Sequence, residues 1–285
     1  MAARILAGDA STAQHWDEAA AWLMDPAARG DADSLLALAG LMVSGVIGED
    51  KVATGLDVYR SLAAEGDLPA ARRQLAILAM AGEKMEKSPS QAEAWLRKDA
   101  ERGDHESEAL LGGALLRGDL GRVDEVEGRR WMERALAGKE PSAYVDYGAW
   151  LFYGKNTPES RRKALELWKQ GSELEYPIAV NNLAWALCTA PDDAIRNPAL
   201  GLEASAKIGD VDEINPGHLD TVAACHAATG DYATAVRLQQ SVVEQFDRQA
   251  RALPDDESMV ETAKRATTRL ELYRAGKPYL ETDRE

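Results

Sequence analysis

Residues 100–119 read AERGDHESEALLGGALLRGD, a stretch in which the tripeptide Arg-Gly-Asp occurs twice. A third copy lies at Arg29-Gly30-Asp31, and the related Glu65-Gly66-Asp67 lies between the two regions. The glycines at 30, 66 and 103 are 36 and 37 residues apart. A near-constant spacing of this size is typical of repeat proteins, in which a glycine turn separates successive helical units. The tripeptide is therefore a boundary between structural units, and the alternative interpretation as a cell-adhesion motif is not needed.

The apolar segments that follow these turns set the register of the repeat. Each segment ends in a small residue, and counting back from it places unit starts at Ser34, Ala71, Ser107, Ala143 and Ala179, with a sixth near His218 after a short insertion. Four residues into each unit a bulky residue precedes a tiny one, as in Leu38-Ala39, Leu75-Ala76, Leu111-Gly112, Tyr147-Gly148, Leu183-Ala184 and Val222-Ala223. This pairing predicts helices that approach one another closely.

A second set of columns precedes the turns. A small residue stands three positions before the turn that closes each unit, at Ala27, Ala63, Ala100, Ala135, Ser172 and Ala206. A large apolar residue stands four positions earlier, at Leu23, Tyr59, Leu96, Trp131, Trp168 and Leu202. A spacing of four places both residues on one helix face. Each unit is thus predicted to be an antiparallel pair, helix A followed by helix B, with a left-handed glycine ending helix B and an acid capping the next helix.

These columns resemble the Sel-one-like repeat, a longer relative of the tetratricopeptide repeat (TPR). The pattern is carried by AYVDYGAWLFYG (143–154) with KALELWKQ (163–170), and by GLDVYRSLAAEGD (55–67). The last units, NNLAWALCTAPDD (181–193) and LDTVAACHAATGDYATAV (219–236), are more similar to ordinary TPR units. The resemblance covers roughly residues 16–250. It implies an all-α fold, a right-handed α/α superhelical solenoid of antiparallel helix pairs.

The predicted organisation is one repeat domain over residues 1–285. An incomplete first unit (1–33) is followed by units at 34–70, 71–106, 107–142, 143–178, 179–217 and 218–253. An amphipathic helix over residues 255–276 is expected to cap the last unit, because the end of a solenoid otherwise exposes its core. Monomeric behaviour or weak self-association are both compatible with an open-ended solenoid.

The charge and hydropathy of the chain exclude several classes of binding partner. The chain has 48 acidic against 33 basic residues and a formal net charge of −15, without a basic stripe. Nucleic acid and anionic membrane surfaces are therefore not expected as partners. No apolar run approaches the roughly 18–20 residues that span a bilayer. The first residues lack the apolar core of a signal peptide, so a cytoplasmic location is expected, or a periplasmic one if a leader has been removed.

Residues with catalytic or metal-binding potential are few. The four histidines, at 15, 105, 218 and 226, do not form a metal-ligand spacing with one another or with the cysteines. No nucleophile elbow, P-loop or dinucleotide fingerprint is present. We therefore expect a non-catalytic protein without cofactor or metal. A helical-toroid hydrolase or a metal-dependent helical domain remains the alternative.

The resemblance also implies a binding surface, because helix A lines the concave face in this repeat family. The matching positions are Arg73, Ile77, Met80, Arg117, Phe152, Tyr153, Asn181, Trp185 and Asp220. They suggest a face rich in aromatic and amide groups that suits an extended peptide of a protein partner. The competing interpretation is that Phe152 and Trp185 pack between repeats. The carboxylate clamp of chaperone-binding TPR domains is not assembled at these positions.

Two cysteines, Cys188 and Cys225, fall in the A helices of consecutive units. Consecutive A helices pack side by side, so the two thiols could form a disulfide. Two buried free thiols are the alternative.

Overall fold

The computed structural model describes residues 13–208, 215–252 and 256–281, with side chains from residue 16 onward. The parts of the predicted units that fall on residues 1–12, 209–214, 253–255 and 282–285 lie outside the described residues. Helices account for the secondary structure throughout these ranges, which contain no β-strand. The described chain forms two compact units that divide between Ala143 and Tyr144. The predicted all-α fold built from helix pairs is confirmed.

In its described residues, the first unit contains seven α-helices that precede the division. They are α1 (Ala13–Ala28), α2 (Ala32–Ser44), α3 (Val52–Ala64), α4 (Pro69–Ala81), α5 (Pro89–Ala100), α6 (His105–Arg117) and α7 (Glu125–Ala137), with a 3-10 turn at Glu49–Lys51. Helices α2, α4 and α6 are A helices, and each packs against the B helix that follows it.

The second unit begins inside α8 (Pro141–Ala149), which continues as a π-helical turn over Trp150–Lys155. The remaining helices are α9 (Pro158–Glu173), α10 (Pro177–Thr189), α11 (Pro198–Ser205), α12 (Pro216–Ala228), α13 (Tyr232–Ala252) and α14 (Glu257–Arg274). Helix α14 packs on α13, and its N-cap Asp256 accepts a hydrogen bond from Met259 N at 3.0 Å.

Most residues of the predicted columns form the core, whereas Leu23, Leu38 and Leu202 are only partly buried and Ala206 is exposed. Among the B-helix residues Tyr59, Leu96, Trp131 and Trp168 are buried, and so are Leu75, Leu111, Tyr147, Leu183 and Val222 in the A helices. The small partner in each column permits the close approach. At Gly112 a Cβ atom would lie 2.9 Å from Gly128 O of the facing helix. Burial of a large apolar side chain contributes about 1.5–3 kcal/mol, so these columns supply much of the stability of each pair.

The turn between units takes two forms. Gly30 and Gly103 have φ of 84° and 87°, and the following Asp31 and Asp104 cap α2 and α6, as predicted. The turn at 65–67 differs, because Asp67 itself adopts φ 45° and Leu68 is the N-cap of α4. The prediction that Asp67 caps the next helix is therefore wrong. The one extra residue in this unit shifts the acid outward, where it pairs with Arg72, Lys98 and Arg102.

Two ion pairs with a buried carboxylate join helices A and B in the described part of the first unit, and neither was anticipated from the sequence. Arg72 of α4 binds Asp99 of α5 through Nε–Oδ2 and Nη2–Oδ1, both at 2.6 Å. Glu108 of α6 binds Arg134 of α7 at 2.6 Å. Both pairs occupy the same repeat position with the charges exchanged between the helices. Arg72 and Asp99 satisfy each other by hydrogen bonds, and Arg134 offsets the charge of the buried Glu108, so each ion pair fixes the packing of its two helices.

Candidate functional site

The predicted surface follows one face of the A helices. Residues five, nine and thirteen of an A helix lie on one stripe, since a spacing of four keeps side chains on the same side. Arg73 and Ile77 occupy this stripe on α4, Arg117 on α6, and Asn181, Trp185 and Thr189 on α10. The stripe differs in chemistry between the two units, which are described separately below.

In the first unit the predicted basic residues are engaged within the protein. The Arg73 guanidinium lies 2.6 Å from Asp104 and 2.5 Å from Glu106, so it ties α4 to the start of α6. Met80 is partly buried against the core of α4 to α7. Arg117 is half exposed and pairs with Asp119 at 2.8 Å. Of this group only Ile77 presents a largely unengaged apolar side chain, which is 42% exposed.

In the second unit, the two neighbouring aromatic residues of the π-helical turn have opposite surroundings. Phe152 is buried, with its ring centroid 5.2 Å from that of Trp168. Its ring is part of the interior of the α8–α9 pair and offers no surface to a partner. Tyr153 is 38% exposed, and its hydroxyl lies 3.4 Å from Glu281 Oε2. The structure thus separates the predicted pair into a packing residue and a surface residue.

Helix α10 presents Asn181 and Trp185 one turn apart. The Oδ1 atom of Asn181 is buried and accepts no hydrogen bond from any described residue. A buried acceptor without a donor is costly, so it favours any ligand that can supply an N–H group. The Trp185 indole is partly buried, and its Nε1 donates to Glu281 Oε2 at 3.1 Å. We refer to Asn181, Trp185 and Thr189, flanked by Tyr153 and Arg269, as the α10 face.

The chain's own residues 277–281, here called the tail segment, lie on the α10 face. The segment contains no helix or strand and follows α14 after a turn at 275–276. Its residues alternate between exposed (278 and 280) and partly buried (279 and 281), which is the pattern of an extended chain. Glu281 N donates to Thr189 O at 2.8 Å, while the Glu281 carboxylate accepts from the Trp185 indole and the Tyr153 hydroxyl. The ring of Tyr279 lies 5.8 Å from that of Trp185. The α10 face therefore holds an extended peptide in this structure.

Arg269 of α14 connects the tail segment to Asp220. Its guanidinium carbon lies 5.6 Å from the Trp185 ring and 5.4 Å from the Tyr279 ring. Its Nη2 lies 2.6 Å from Asp220 Oδ2, and Gln239 donates to Asp220 Oδ1 at 2.8 Å. Burial raises the pKa of the Asp220 carboxyl, while Arg269 and Gln239 act in the opposite direction. Asp220, predicted as a ligand contact, instead orients the arginine beneath the tail segment.

Cys188 of α10 and Cys225 of α12 form a disulfide in the structure, with Sγ atoms 2.07 Å apart. The bond closes a loop with a sequence separation of 37 residues and joins two consecutive A helices of the second unit. Both residues are fully buried behind the α10 face.

Groups capable of acid–base or metal chemistry are dispersed. His105 lies 2.8 Å from Glu108 Oε2, and His226 lies 3.1 Å from Asp231 Oδ2. Burial lowers the pKa of His218. Across the described ranges, His, Cys, Asp and Glu side chains nowhere gather in threes in a way that could hold a metal ion. In the same residues no helix is long and apolar enough to cross a membrane.

The tail segment and Arg269 were missed by the sequence reasoning. Two signals were available. Pro278 after Gly276 ends a helix and favours an extended chain, and Tyr279-Leu280 is an apolar pair in an otherwise charged terminus. Neither signal says where the segment returns, because that depends on the packing of α14 against α13.

Comparison with known proteins agrees with this geometry. The family model for the Sel1 repeat matches residues 69–104, 105–138 and 141–176. No curated protein matches the chain in sequence.

Two solved structures share the fold at low sequence identity. A Sel1 repeat protein from Oxalobacter formigenes is 19% identical, with a TM-score of 0.58 over 81% of this chain and 95% of that one. The protein c5321, a protective antigen of uropathogenic Escherichia coli strains with an SLR fold, is 18% identical, with a TM-score of 0.53 over 93% of this chain and 61% of its own. The chain therefore shares the all-α fold of these repeat proteins, and three stretches of it, residues 69–104, 105–138 and 141–176, match the Sel1 repeat.

Proposed function

We propose that this protein is a non-catalytic scaffold that binds a protein partner through an extended peptide laid on the α10 face. Sel1 repeats are commonly protein-interaction scaffolds. The observation that carries the proposal is the tail segment, because an extended chain already lies there with backbone and side-chain hydrogen bonds. The contacts combine one main-chain hydrogen bond, from Glu281 N to Thr189 O, with side-chain contacts of Tyr279 and Glu281.

The chemistry of the face supports a peptide ligand over a small-molecule substrate. Trp185 and Tyr153 supply apolar area with a hydrogen-bond donor at the edge, a combination enriched at protein interfaces. Arg73 and Arg117 are excluded from this role in the proposal, since their guanidinium groups already bind Asp104, Glu106 and Asp119.

Affinity capture with matched variants tests the proposal. The native chain, an Asn181→Ala/Trp185→Ala variant and a Val126→Ala control are each used as bait in extract of the source cells. Val126 is 85% exposed on helix α7 of the first unit, so its truncation leaves the α10 face intact. We expect at least one protein to be retained by the native chain and the control and lost by the double variant, whose helicity is checked by circular dichroism. Identical retention by all three baits would refute binding at this face.

A further inference from the structure

The tail segment also indicates which peptides the α10 face selects. We propose that the face recognises an extended segment with an aromatic residue two positions before a glutamate, and that residues 277–281 compete with the partner for this site. The inference rests on the proposed function and adds the chemistry of the ligand and the regulation of its access.

The alternation of the tail segment defines the motif. Tyr279 and Glu281 are partly buried, while Pro278 and Leu280 are exposed. In an extended chain, residues two apart point to the same side, so positions 279 and 281 face the protein and position 280 faces solvent. The residue between the aromatic ring and the carboxylate is therefore free to vary in a competing ligand.

The aromatic position is selected by two groups. The Tyr279 ring lies against the Trp185 indole, at 5.8 Å between centroids, and within 5.4 Å of the Arg269 guanidinium carbon. Cation–π and ring–ring contacts both favour an aromatic side chain over an aliphatic one of similar size. Arg269 is held in place by Asp220, so its guanidinium is already positioned before a ligand arrives.

The carboxylate position is selected by two donors. The Trp185 indole N–H and the Tyr153 hydroxyl both reach Glu281 Oε2, at 3.1 and 3.4 Å. A hydrogen bond to a charged acceptor is roughly twice as strong as one to a neutral acceptor. An amide in place of the carboxylate would also direct its NH₂ group at these donors in one of its two orientations. Glutamate is therefore favoured over glutamine.

The tail segment is tethered to α14 by a turn of only a few residues, which gives it a high effective concentration at the face. A short tether produces an effective concentration in the millimolar range. A competing ligand binds only after the tail segment has left the face. Its apparent affinity is therefore the intrinsic affinity multiplied by the fraction of molecules whose tail segment is released. The native tail thus acts as a built-in competitor, and its release raises affinity for the partner.

The test uses the full chain and a labelled peptide with the sequence of residues 276–285, GKPYLETDRE. Fluorescence anisotropy compares the native chain with the full-length variant Tyr279→Ala/Glu281→Gln, in which the tail's own contacts are weakened. We expect the peptide to bind the variant about tenfold more tightly. Peptides with Ala in place of the tyrosine, or Gln in place of the glutamate, are expected to bind the variant about fivefold more weakly than the parent peptide.

A conservative change on the protein separates recognition from folding. Tyr153→Phe, added to the tail variant, removes one hydroxyl and keeps the ring. It is expected to reduce the preference for glutamate over glutamine in the peptide while leaving the preference for tyrosine over alanine unchanged. Loss of neither preference, or equal loss of both, contradicts the assignment of the Tyr153 hydroxyl to the carboxylate.

Three results would overturn the proposal: equal peptide affinity for native chain and tail variant, equal affinity for the substituted peptides, or a Tyr279-dependent dimer in sedimentation. The last result would make the tail of a second copy the occupant. If the peptide fails to bind while affinity capture still depends on Asn181 and Trp185, the peptide preference is wrong and the scaffold function stands. If both fail, the face is not a binding site.

Discussion

The two units of this protein join their helices with different chemistry. In the first unit, the interface between helix A and helix B holds ion pairs with a buried carboxylate, Asp99 with Arg72 and Glu108 with Arg134. In the second unit, the same repeat positions carry Tyr144 with Gly171 and Val180 with Ser205. A covalent link between Cys188 and Cys225 reinforces that unit.

The two ion pairs of the first unit both place a guanidinium group next to the same backbone carbonyl of the repeat. Arg72 donates to Ala63 O at 2.8 Å, and Arg134 donates to Ala100 O at 3.2 Å. Ala63 and Ala100 are equivalent residues of successive B helices. The guanidinium therefore reaches the same carbonyl whether helix A or helix B supplies it. The repeat specifies where the ion pair lies, but either helix A or helix B can carry its arginine.

Among the variants that test the contrast between the two units, removal of the Arg72 guanidinium is expected to have the largest effect on stability. Arg72→Met leaves Asp99 buried without a counterion, which we expect to lower the free energy of unfolding by about 3–5 kcal/mol. The effect is measured by equilibrium urea unfolding followed by circular dichroism. As a control, Arg72→Glu/Asp99→Arg reproduces the arrangement of the next repeat and should recover most of the loss. If the charge-swapped variant is as unstable as Arg72→Met, the stability of the ion pair depends on which helix carries the arginine.

The disulfide is the counterpart in the second unit. The Cys188→Ala/Cys225→Ala variant lacks the covalent link between residues that are 37 positions apart. We expect its free energy of unfolding to be lower by about 2–4 kcal/mol, because the unfolded chain regains loop entropy. Urea midpoints of native and variant proteins under oxidising conditions measure this loss. Reduced native protein should match the variant more closely than the oxidised protein does. An unchanged mass after reduction and alkylation, compared with direct alkylation, would mean that the purified protein contains no disulfide.

Arg134→Met is expected to have a smaller effect than Arg72→Met, about 1–2 kcal/mol. The Arg134 side chain is 45% exposed, whereas that of Arg72 is 2% exposed. Water therefore already solvates part of the Arg134 pair, and His105 remains beside Glu108. The same urea titration measures both variants. Equal losses would show that exposure of the cation does not decide the contribution of the pair.

The smallest expected effect concerns acid stability. Arg122 and Arg97 lower the pKa of Glu93 from 4.5 to about 2. Because the folded pKa is depressed, the contribution to stability is present above pH 4.5 and is lost as the pH falls through about 2.

Between pH 5 and pH 2, the Glu93→Gln variant should therefore lose about 1 kcal/mol less stability than the native chain, a modest difference because the Arg97 and Arg122 side chains are 30% and 47% exposed. Urea midpoints measured across that interval test this. Glu244→Gln, an exposed carboxylate of the second unit, is the matched control and should follow the native curve. A Glu93→Gln curve that also follows the native one would remove this ion pair from the acid response.

Sequence reasoning was most successful where local patterning and packing agree. The large and small columns, such as Leu111 beside Gly112, predict both the helix pairs and the buried face, because helical periodicity and close approach impose the same residues. It failed at Asp67, where one additional residue moved the acid out of the capping position. It also ranked Phe152 and Tyr153 together, although the π-helical turn directs one ring inward and leaves the other at the surface.

By itself, the sequence determined the repeat length, the antiparallel helix pairs and the residues of the A-helix stripe, since these follow from spacing along the chain. Only the tertiary structure decided which of the stripe residues are engaged. Arg73 and Asp220 are held by ion pairs with residues distant in sequence, and Trp185 meets Glu281 across the fold. Such contacts depend on how successive helices pack, which a periodic pattern leaves open. The two Arg-Gly-Asp copies at 102–104 and 117–119 belong to the first category, as both are helix-end turns.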